Sequence, residues 1–586
     1  MCGILGTSKT SISLEKVELA INKIIKRGPD NKAIIYNKFT CFGHTRLAIV
    51  DLDQRSNQPF IYEHQNRKII ITFNGEIYNY QSIKDNLLKK GYRFKTCSDT
   101  EVICAAYCEF GEECFDLFEG MWAVAINEGS KLILSRDRLG KKPLYFSHLP
   151  GEPVFFGSSL KSVSILSDRF KVNSEGIELY FALGFIPMSY TIIENISKVE
   201  PGFIYHFEIK NEICNLINIS KSIFKPKKSD YELSVKKLIY YATEKRLITD
   251  VPVTTLMSGG VDSTIITSII KELRPSSEAF FVNFDNKKFS EKKWARYLSL
   301  RNKIKLNTLH LNSENLKIAF EDYYTVYEEP FADYSGIPSI AIFKEVSKKY
   351  KVVLTGDGGD ELFYGYPHYV KKLFLFLFFD FLKLFCKFRL LPDNIQKIVS
   401  GTKKEFETNY LKNHGIVTPF AASIINMNFN NSIVSSKSFL KGIINYDRDF
   451  YNWPEKYLVK IDRASMFSSV EVRSPFMDES LIRKVQKLPV LFLFTPFSSK
   501  LFLKINFIKL FGLKYFIATK KGFKPPIEDL RSANFREEDF TELKSYLKIN
   551  CPNVYNLIVK MQYQKLQKDK ILFDRCFFFN EWVKNQ

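Results

Sequence analysis

Residues 250–273 constrain local structure more tightly than any other stretch of the chain. Asp250-Val-Pro-Val-Thr-Thr-Leu-Met257 reads as an apolar strand. It runs without a break into Ser258-Gly259-Gly260-Val261-Asp262-Ser263 and then into an amphipathic helix, Thr264-Ile-Ile-Thr-Ser-Ile-Ile-Lys-Glu-Leu. Strand, glycine turn and helix in that order form a cradle for phosphates. Gly259 and Gly260 let the backbone approach an anion, the helix N-terminus attracts it, and Ser258 and Ser263 supply hydroxyls. The Gly-x-x-x-x-Gly-Lys pattern of a kinase or GTPase loop is absent here, which speaks against that class of nucleotide chemistry.

A second strand-loop comes about ninety residues later: Val352-Val-Leu-Thr355-Gly356-Asp357-Gly358-Gly359-Asp360-Glu361. Three carboxylates within five residues repel one another unless a cation or tight hydrogen bonding holds them. Asp262 suits Mg2+ on bound phosphates, and Asp360 is its natural partner.

With 586 residues the chain exceeds one hydrophobic core, so two or three domains are expected. The ten cysteines are scattered and the first residues are too polar for a secretory signal, which points to a reducing cytoplasm. Cys104 and Cys108 lie one helical turn apart without histidines at ligand spacing, and read as a buried helix face. The net charge of +21 comes from Lys and Arg dispersed singly and in pairs, so nucleic-acid binding is not expected. The apolar run Leu373–Phe379 is far below the ~20 residues of a membrane span, and segment 373–387 reads as a buried or partner-docking helix.

The N-terminus opens Met1-Cys2-Gly3. Removal of Met1 places a thiol and an α-amine on one residue, and an amine titrating near pH ~8 can take the thiol proton without a histidine. Phe42–Asp51 and Lys68–Tyr78 read as strands, the second carrying Asn74-Gly75-Glu76. Beside a thiol nucleophile, the Asn74 amide and the Gly75 N–H can converge on an oxyanion. Glu76 and Asp99 offer charge to an ammonium, and Arg46 offers a fork to a carboxylate. Ammonium, carboxylate and a cleavable amide together describe glutamine.

Cys2-Gly-Ile, Arg27-Gly-Pro-Asp30, His44-Thr-Arg-Leu-Ala-Ile-Val-Asp51, Asn74-Gly-Glu-Ile-Tyr-Asn79, Ser98-Asp-Thr-Glu101 and Arg136–Tyr145 closely resemble the N-terminal-nucleophile glutamine amidotransferase domain. Ser258–Ser263 resembles the pyrophosphate loop of ATP pyrophosphatases. With Lys460-Ile-Asp462-Arg463, Glu471-Val-Arg473 and Thr519-Lys520-Lys521-Gly522-Phe523, the whole resembles the glutamine-hydrolysing asparagine synthetase family over roughly residues 2 to 530. The resemblance implies an α/β/β/α sandwich (Ntn-hydrolase-like) over residues 2–210. A linker at 211–230 and a parallel-sheet, Rossmann-like ATP pyrophosphatase domain with extra helices over 231–540 would follow. Residues 541–586 match nothing in the family.

By the same resemblance Cys2 attacks glutamine, and Asn74 and Gly75 form the oxyanion hole. Arg46, Glu76, Asp99 and the Ile49 and Val50 backbones bind the amino-acid end. Adenosine lies against Met257 and Val282, with Thr355 and Gly356 alongside. The loop Ser258, Gly259, Gly260 and Ser263 takes pyrophosphate, Asp262 and Asp360 hold Mg2+, and Asp357 and Lys520 serve the acyl-adenylate. The substrates implied are glutamine, ATP and aspartate; a uronic acid of a surface polysaccharide is an alternative acceptor. A regulatory protein with an inactive synthetase half is a further alternative. Dimers are common among such relatives, so a homodimer is an expectation. Thr254, Met257, Ser159 and Ala518 depart from the family pattern, standing where Gly, Leu, Glu and Arg are usual.

Overall fold

The computed structural model describes residues 2–586 apart from 188, 227–229, 231, 285–291, 367–415, 435–441, 443–444, 494–499, 513 and 516–533. Segment 373–387 and Lys520 therefore lie outside the described residues. Twelve strands build the N-terminal half: β1 (Gly3–Thr7), β2 (Asn31–Tyr36), β3 (Cys41–Arg46), β4 (Phe60–His64), β5 (Arg67–Ile77), β6 (Gly120–Glu128), β7 (Lys131–Arg136), β8 (Tyr145–Ser147), β9 (Phe155–Gly157), β10 (Ser197–Lys198), β11 (Phe203–Lys210) and β12 (Ile213–Lys221). They pair as two antiparallel sheets, ordered β10-β8-β9-β1-β3-β2 and β12-β11-β7-β6-β5-β4.

Side-chain alternation sets the layers. In β5, Ile70 packs between the sheets with Ile4, Phe42, Ala123, Ala125 and Phe156. Its neighbours Ile69, Ile71 and Phe73 point the other way, onto the helices Tyr80–Lys89 and Asp99–Phe110. In β1, Leu5 turns outward onto Val17, Ala20 and Ile21 of the helix Leu14–Asn22 and Leu160 and Val163 of the helix Leu160–Ser167. The result is the α/β/β/α sandwich.

The strand expected over Phe42–Asp51 is β3, which stops at Arg46 because the chain leaves the sheet there. Ala48 N–H donates to Asp30 Oδ2 at 2.7 Å, and Asp51 takes a positive φ of 52°. The stretch 211–230, expected as a linker, is a strand over Ile213–Lys221. Asn211 and Glu212, with φ of 50° and 67°, form a two-residue hairpin turn that opposes Lys210 to Ile213. Its exposed residues mix Asn215 and Asn218 with Ile213, Leu216, Ile217 and Ile219, so no alternation marks this edge strand in the sequence.

Five strands form the second half: β13 (Val253–Leu256), β14 (Glu278–Phe284), β15 (Lys305–Leu311), β16 (Val352–Leu354) and β17 (Glu471–Arg473). They make one parallel sheet in the order β15-β14-β13-β16-β17. Val352 and Leu354 face the core that holds Ile265, Ile266 and Ile269 of the helix Val261–Leu273, whereas Val353 faces Ile337 and Ile340 of the helix Gly336–Val346. Both faces are thus covered by helices, as a parallel sheet requires.

The last residues are built into the molecule. The helix Glu537–Asn550 runs through position 540, and Lys570–Lys584 buries Phe573, Phe577, Phe578, Phe579 and Trp582. Phe579 packs on Tyr180 at 5.6 Å between ring centres, and Phe577 stacks on Phe320 at 5.6 Å, so one helix joins both halves. Among the described residues no helix is long and apolar enough to cross a membrane.

Candidate active sites

Cys2 immediately precedes β1, which lies between β9 and β3. Its N–H donates to Asn74 Oδ1 at 3.1 Å, and its carbonyl accepts from Arg27 Nε at 3.1 Å. Asn74-Gly75, a common turn signal, is here inside β5, opposite Ala123 and Trp122. A Cβ on Gly75 would stand 2.1 Å from the Met121 carbonyl oxygen, so this close strand approach admits only glycine. Burial pushes the Cys2 thiol up, and the Leu47 backbone and Arg46 partly offset it.

On β5 two buried polar atoms have no hydrogen-bond partner among the described residues: the donor Asn74 Nδ2, on the residue whose Oδ1 takes the Cys2 N–H, and the acceptor Glu76 Oε1 two residues along the strand. Such atoms are costly to leave unsatisfied and mark a place for a ligand. Asp99 lies at the start of the helix Asp99–Phe110, and its Oδ2 accepts from Ile77 N–H at 3.0 Å. Burial lifts the Asp99 carboxyl to about 6, and burial together with the Asp99 charge lifts Glu76 as well. Arg46 directs Nη1 to Asp53 O at 2.9 Å and Asn57 Oδ1 at 2.7 Å and Nη2 to Asp51 O, so its fork is turned to the loop 51–57. Ile49 O accepts from Asp250 N–H at 2.9 Å, which draws this loop onto the second half; Val50 is half-buried beside it.

In the second half, Gly259 takes φ +83°, and a Cβ there would meet Ala295 N at 2.6 Å. Gly260 caps the helix Val261–Leu273 without a side-chain hydrogen bond, leaving its first turn turned toward the loop. Ser258 Oγ and Ser263 Oγ lie 3.1 Å apart, and Gly260 N–H donates to Ser258 Oγ at 3.2 Å. The loop 355–360 lies directly on this turn: a Cβ on Gly356 would be 2.6 Å from Ser263 N, and one on Gly359 2.5 Å from Asp262 Cγ. Asp262 and Asp360 consequently converge. The Lys500 ammonium sits between them, 2.6 Å from Asp360 Oδ1 and in contact with Asp262 Oδ2. Thr355 N–H donates to Arg473 O at 3.0 Å, and its Oγ1 lies 3.3 Å from Ser474 Oγ. Met257 N–H donates to Phe280 O at 2.8 Å; Val282 lies on β14 and Asp357 is half-buried on the loop. Glu361 is buried, and burial with the Asp360 charge lifts its carboxyl to about 7.

The two sites face each other across a belt of buried ion pairs. Arg27 and Lys142 flank Asp462 at 3.0 and 3.2 Å, Lys198 and Arg136 take Glu455 at 3.1 and 3.4 Å, and Arg138 takes Glu479 at 2.6 Å. A pair of opposite sense joins Arg473 of β17 to Glu76 of β5 at 3.1 Å. Within the belt lies a cavity of about 20 Å³, lined by Tyr78, Met121, Lys141 and Lys142 from the first half and Leu458, Ile461, Asp462, Val472, Ser474 and Met477 from the second. Tyr78 is two residues from Glu76 and Ser474 touches Thr355, so the cavity lies between the two sites.

Residues 1–215 match the glutamine amidotransferase domain family, and residues 234–547 match the asparagine synthase family. The chain belongs to the asparagine synthase family. It is 30% identical over 533 residues to asparagine synthetase [glutamine-hydrolyzing] 1 of Bacillus subtilis, covering 83% of this chain and 81% of the relative. Identity is 36% over 395 residues, 62% of this chain and 76% of the relative, to the putative asparagine synthetase [glutamine-hydrolyzing] 2 of Methanocaldococcus jannaschii. A fungal relative, amidase chyE of Penicillium rubens, is 25% identical over 560 residues, 83% of this chain and 80% of its own. The family makes this protein a glutamine-hydrolysing, ATP-using ligase.

Arg473, Lys142, Asp462 and Lys500 were not singled out from sequence. Arg473, Asp462 and Lys142 stand within family motifs, but nothing local marks them as interface residues. Lys500 is one of 85 basic residues, and only the folded chain brings it to Asp262.

Proposed function

We propose that Cys2 hydrolyses glutamine and that the ammonia released amidates a carboxylate activated as its adenylate, aspartate becoming asparagine. The observation that carries the first half is the pair of orphaned atoms on β5, one of them on Asn74, which holds the Cys2 N–H. Asn74 Nδ2 is a spare donor for the amide oxygen as it becomes an oxyanion, together with the Gly75 N–H, and Glu76 Oε1 is a spare acceptor for the substrate ammonium. Asp99 adds a second carboxylate, Arg46 and the Ile49 and Val50 backbones border the amino-acid end, and the Cys2 amine left after Met1 removal takes the thiol proton. Thiolate attack expels ammonia and leaves a glutamyl thioester; water then releases glutamate.

In the second half the acceptor carboxylate attacks the α-phosphorus of ATP and pyrophosphate departs. Ser258, Gly259, Gly260 and Ser263 receive the pyrophosphate, and Thr355, Gly356, Met257 and Val282 border the nucleoside. Asp262 and Asp360 would hold Mg2+, which neutralises phosphate charge; that they already converge on an ammonium fits a cation there. Asp357 and Lys520 serve the activated carboxyl, and ammonia displaces AMP. The cavity between Tyr78 and Ser474 is supporting evidence for an internal route. Ammonia in bulk water at neutral pH is mostly protonated and no nucleophile, so such a route protects it.

This reading places a glutaminase domain at residues 2–210 and a synthetase domain at 231–540, with a cytoplasmic homodimer as its setting; sedimentation reads the oligomer. Cys2→Ala should abolish glutamine-supported pyrophosphate release and retain the ammonia-supported reaction. Loss of both would overturn separable half-sites. A relative named as an amidase aligns over 83% of this chain, so an alignment of this length is not confined to relatives named asparagine synthetase, and another acceptor, such as a uronic acid, is the second reading. Pyrophosphate release with a panel of acids separates the two acceptors.

A further inference from the structure

Arg473 belongs to β17 of the parallel sheet, yet its side chain ends in the other half of the molecule. It is fully buried and all three nitrogens are engaged. Nε donates to Glu471 Oε1 at 2.5 Å, Nη1 to the carbonyls of Arg246 and Ile248 at 3.0 and 2.7 Å, and Nη2 to Glu76 Oε2 at 3.1 Å. The main chain is held as firmly, since Leu354 and Arg473 are register partners and Arg473 O accepts from Thr355 N–H. A guanidinium fixed in this way has one orientation to offer.

Its partner has one oxygen committed and one open. Glu76 Oε2 is bound to Arg473, while Oε1 is buried without a partner among the described residues, and Glu76 lies two residues along β5 from Asn74, whose Oδ1 takes the Cys2 N–H. We propose that Arg473, supplied by the ATP-binding half, is a positioning residue of the glutamine pocket, orienting Glu76 so that its second oxygen accepts the substrate's α-ammonium. This rests on the glutamine reading of the Cys2 site. Burial and the charges of Asp99 and Glu471 all disfavour an ionised Glu76, and Arg473 is the strongest opposing charge. Burial holds the Glu76 carboxyl well above its ordinary range even beside Arg473, and loss of the arginine would raise it further and leave the substrate ammonium a neutral partner.

The consequence is specific to the α-amine. The test compares kcat/KM for glutamine with that for glutaramate, the same amide lacking the amine, in wild type, R473M and R473K. R473M should lower the glutamine-to-glutaramate ratio tenfold or more, chiefly through the KM for glutamine, with kcat at saturation within about threefold. R473K should restore part of the ratio while staying at least threefold below wild type. Equal losses on both substrates, with the ratio unchanged, would make Arg473 a structural residue only and overturn the inference. Should R473M fail to fold, R473K decides alone, and a wild-type ratio there overturns it. Wild-type enzyme that hydrolyses neither amide would instead bring down the glutamine reading itself.

Discussion

At Gly75 a side chain would meet the Met121 oxygen at 2.1 Å, the Phe73 ring at 2.7 Å and the Trp122 Cα at 2.8 Å, so β5 and β6 must part to admit a methyl group even if the ring turns aside. Gly75→Ala should destabilise the fold by about 1–3 kcal/mol, the usual range for overpacking. Shifting the oxyanion donors off Cys2 should also lower glutaminase kcat by on the order of 10²–10³. Ammonia-supported pyrophosphate release in the same preparation should survive; its loss would mean that the damage is global. Asp99 gives a second prediction. Its carboxyl titrates near 6 because burial raises it, and an ammonium ligand favours the ionised form. Glutamine affinity is therefore full above that value and falls as the pH drops through it. Steady-state KM measured across the range should rise on the acid side; a flat profile would remove Asp99 from the pocket.

The turn Ser258–Ser263 depends on one conformation that L side chains avoid, the φ of +83° at Gly259. Gly259→Ala adds roughly 1–2 kcal/mol of left-handed strain and a clash with Ala295 N, so the loop should move and the KM for ATP should rise severalfold, while glutamine hydrolysis stays unchanged. Unaltered ATP dependence would argue against this loop as the phosphate cradle. The same element was legible in the sequence because every signal agreed: an apolar strand, paired glycines, then helical periodicity. β5 was legible through its β-branched run Ile69-Ile-Ile-Thr72, although the strand continues through Asn74-Gly75, which the sequence reads as a turn at the strand's end. β12 was not, because it is an edge strand exposed along most of its length, with Ile213, Leu216, Ile217 and Ile219 among the exposed residues, so no apolar-polar alternation marks it and its pairing with β11 is what defines it. Trp582 was equally opaque. Its indole donates to Glu328 O at 3.1 Å, and Glu328 accepts from Ser159 Oγ at 2.5 Å and binds Arg463 at 3.1 Å. These four residues come from distant stretches, so no local pattern announces them; here the serine in place of the usual glutamate hydrogen-bonds a carboxylate supplied by the second half.

Across the whole molecule the two halves meet through charge as much as through apolar packing, with Asp462 at the centre. Burial works against its carboxylate, yet Arg27 and Lys142 hold it below the ordinary carboxylate range. A depressed folded value means that this contribution to stability is present above the unfolded carboxylate range and is lost as the pH falls through the folded one. The interface should thus hold at neutral pH and loosen in acid. Asp462 also lines the cavity between the sites, which makes it informative at neutral pH. Asp462→Asn keeps the shape but leaves two buried cations short of a counter-charge, and breaking such a pair typically costs about 3–5 kcal/mol. The expected outcome is a lower Tm with a wider gap between the halves and escape of ammonia. Glutamate formed per pyrophosphate should then climb above the wild-type ratio, while the KM for glutamine stays put because Glu76, Asp99 and Asn74 are not touched by the change. A lower Tm with the product ratio unchanged would confine Asp462 to holding the halves together and place the nitrogen route elsewhere.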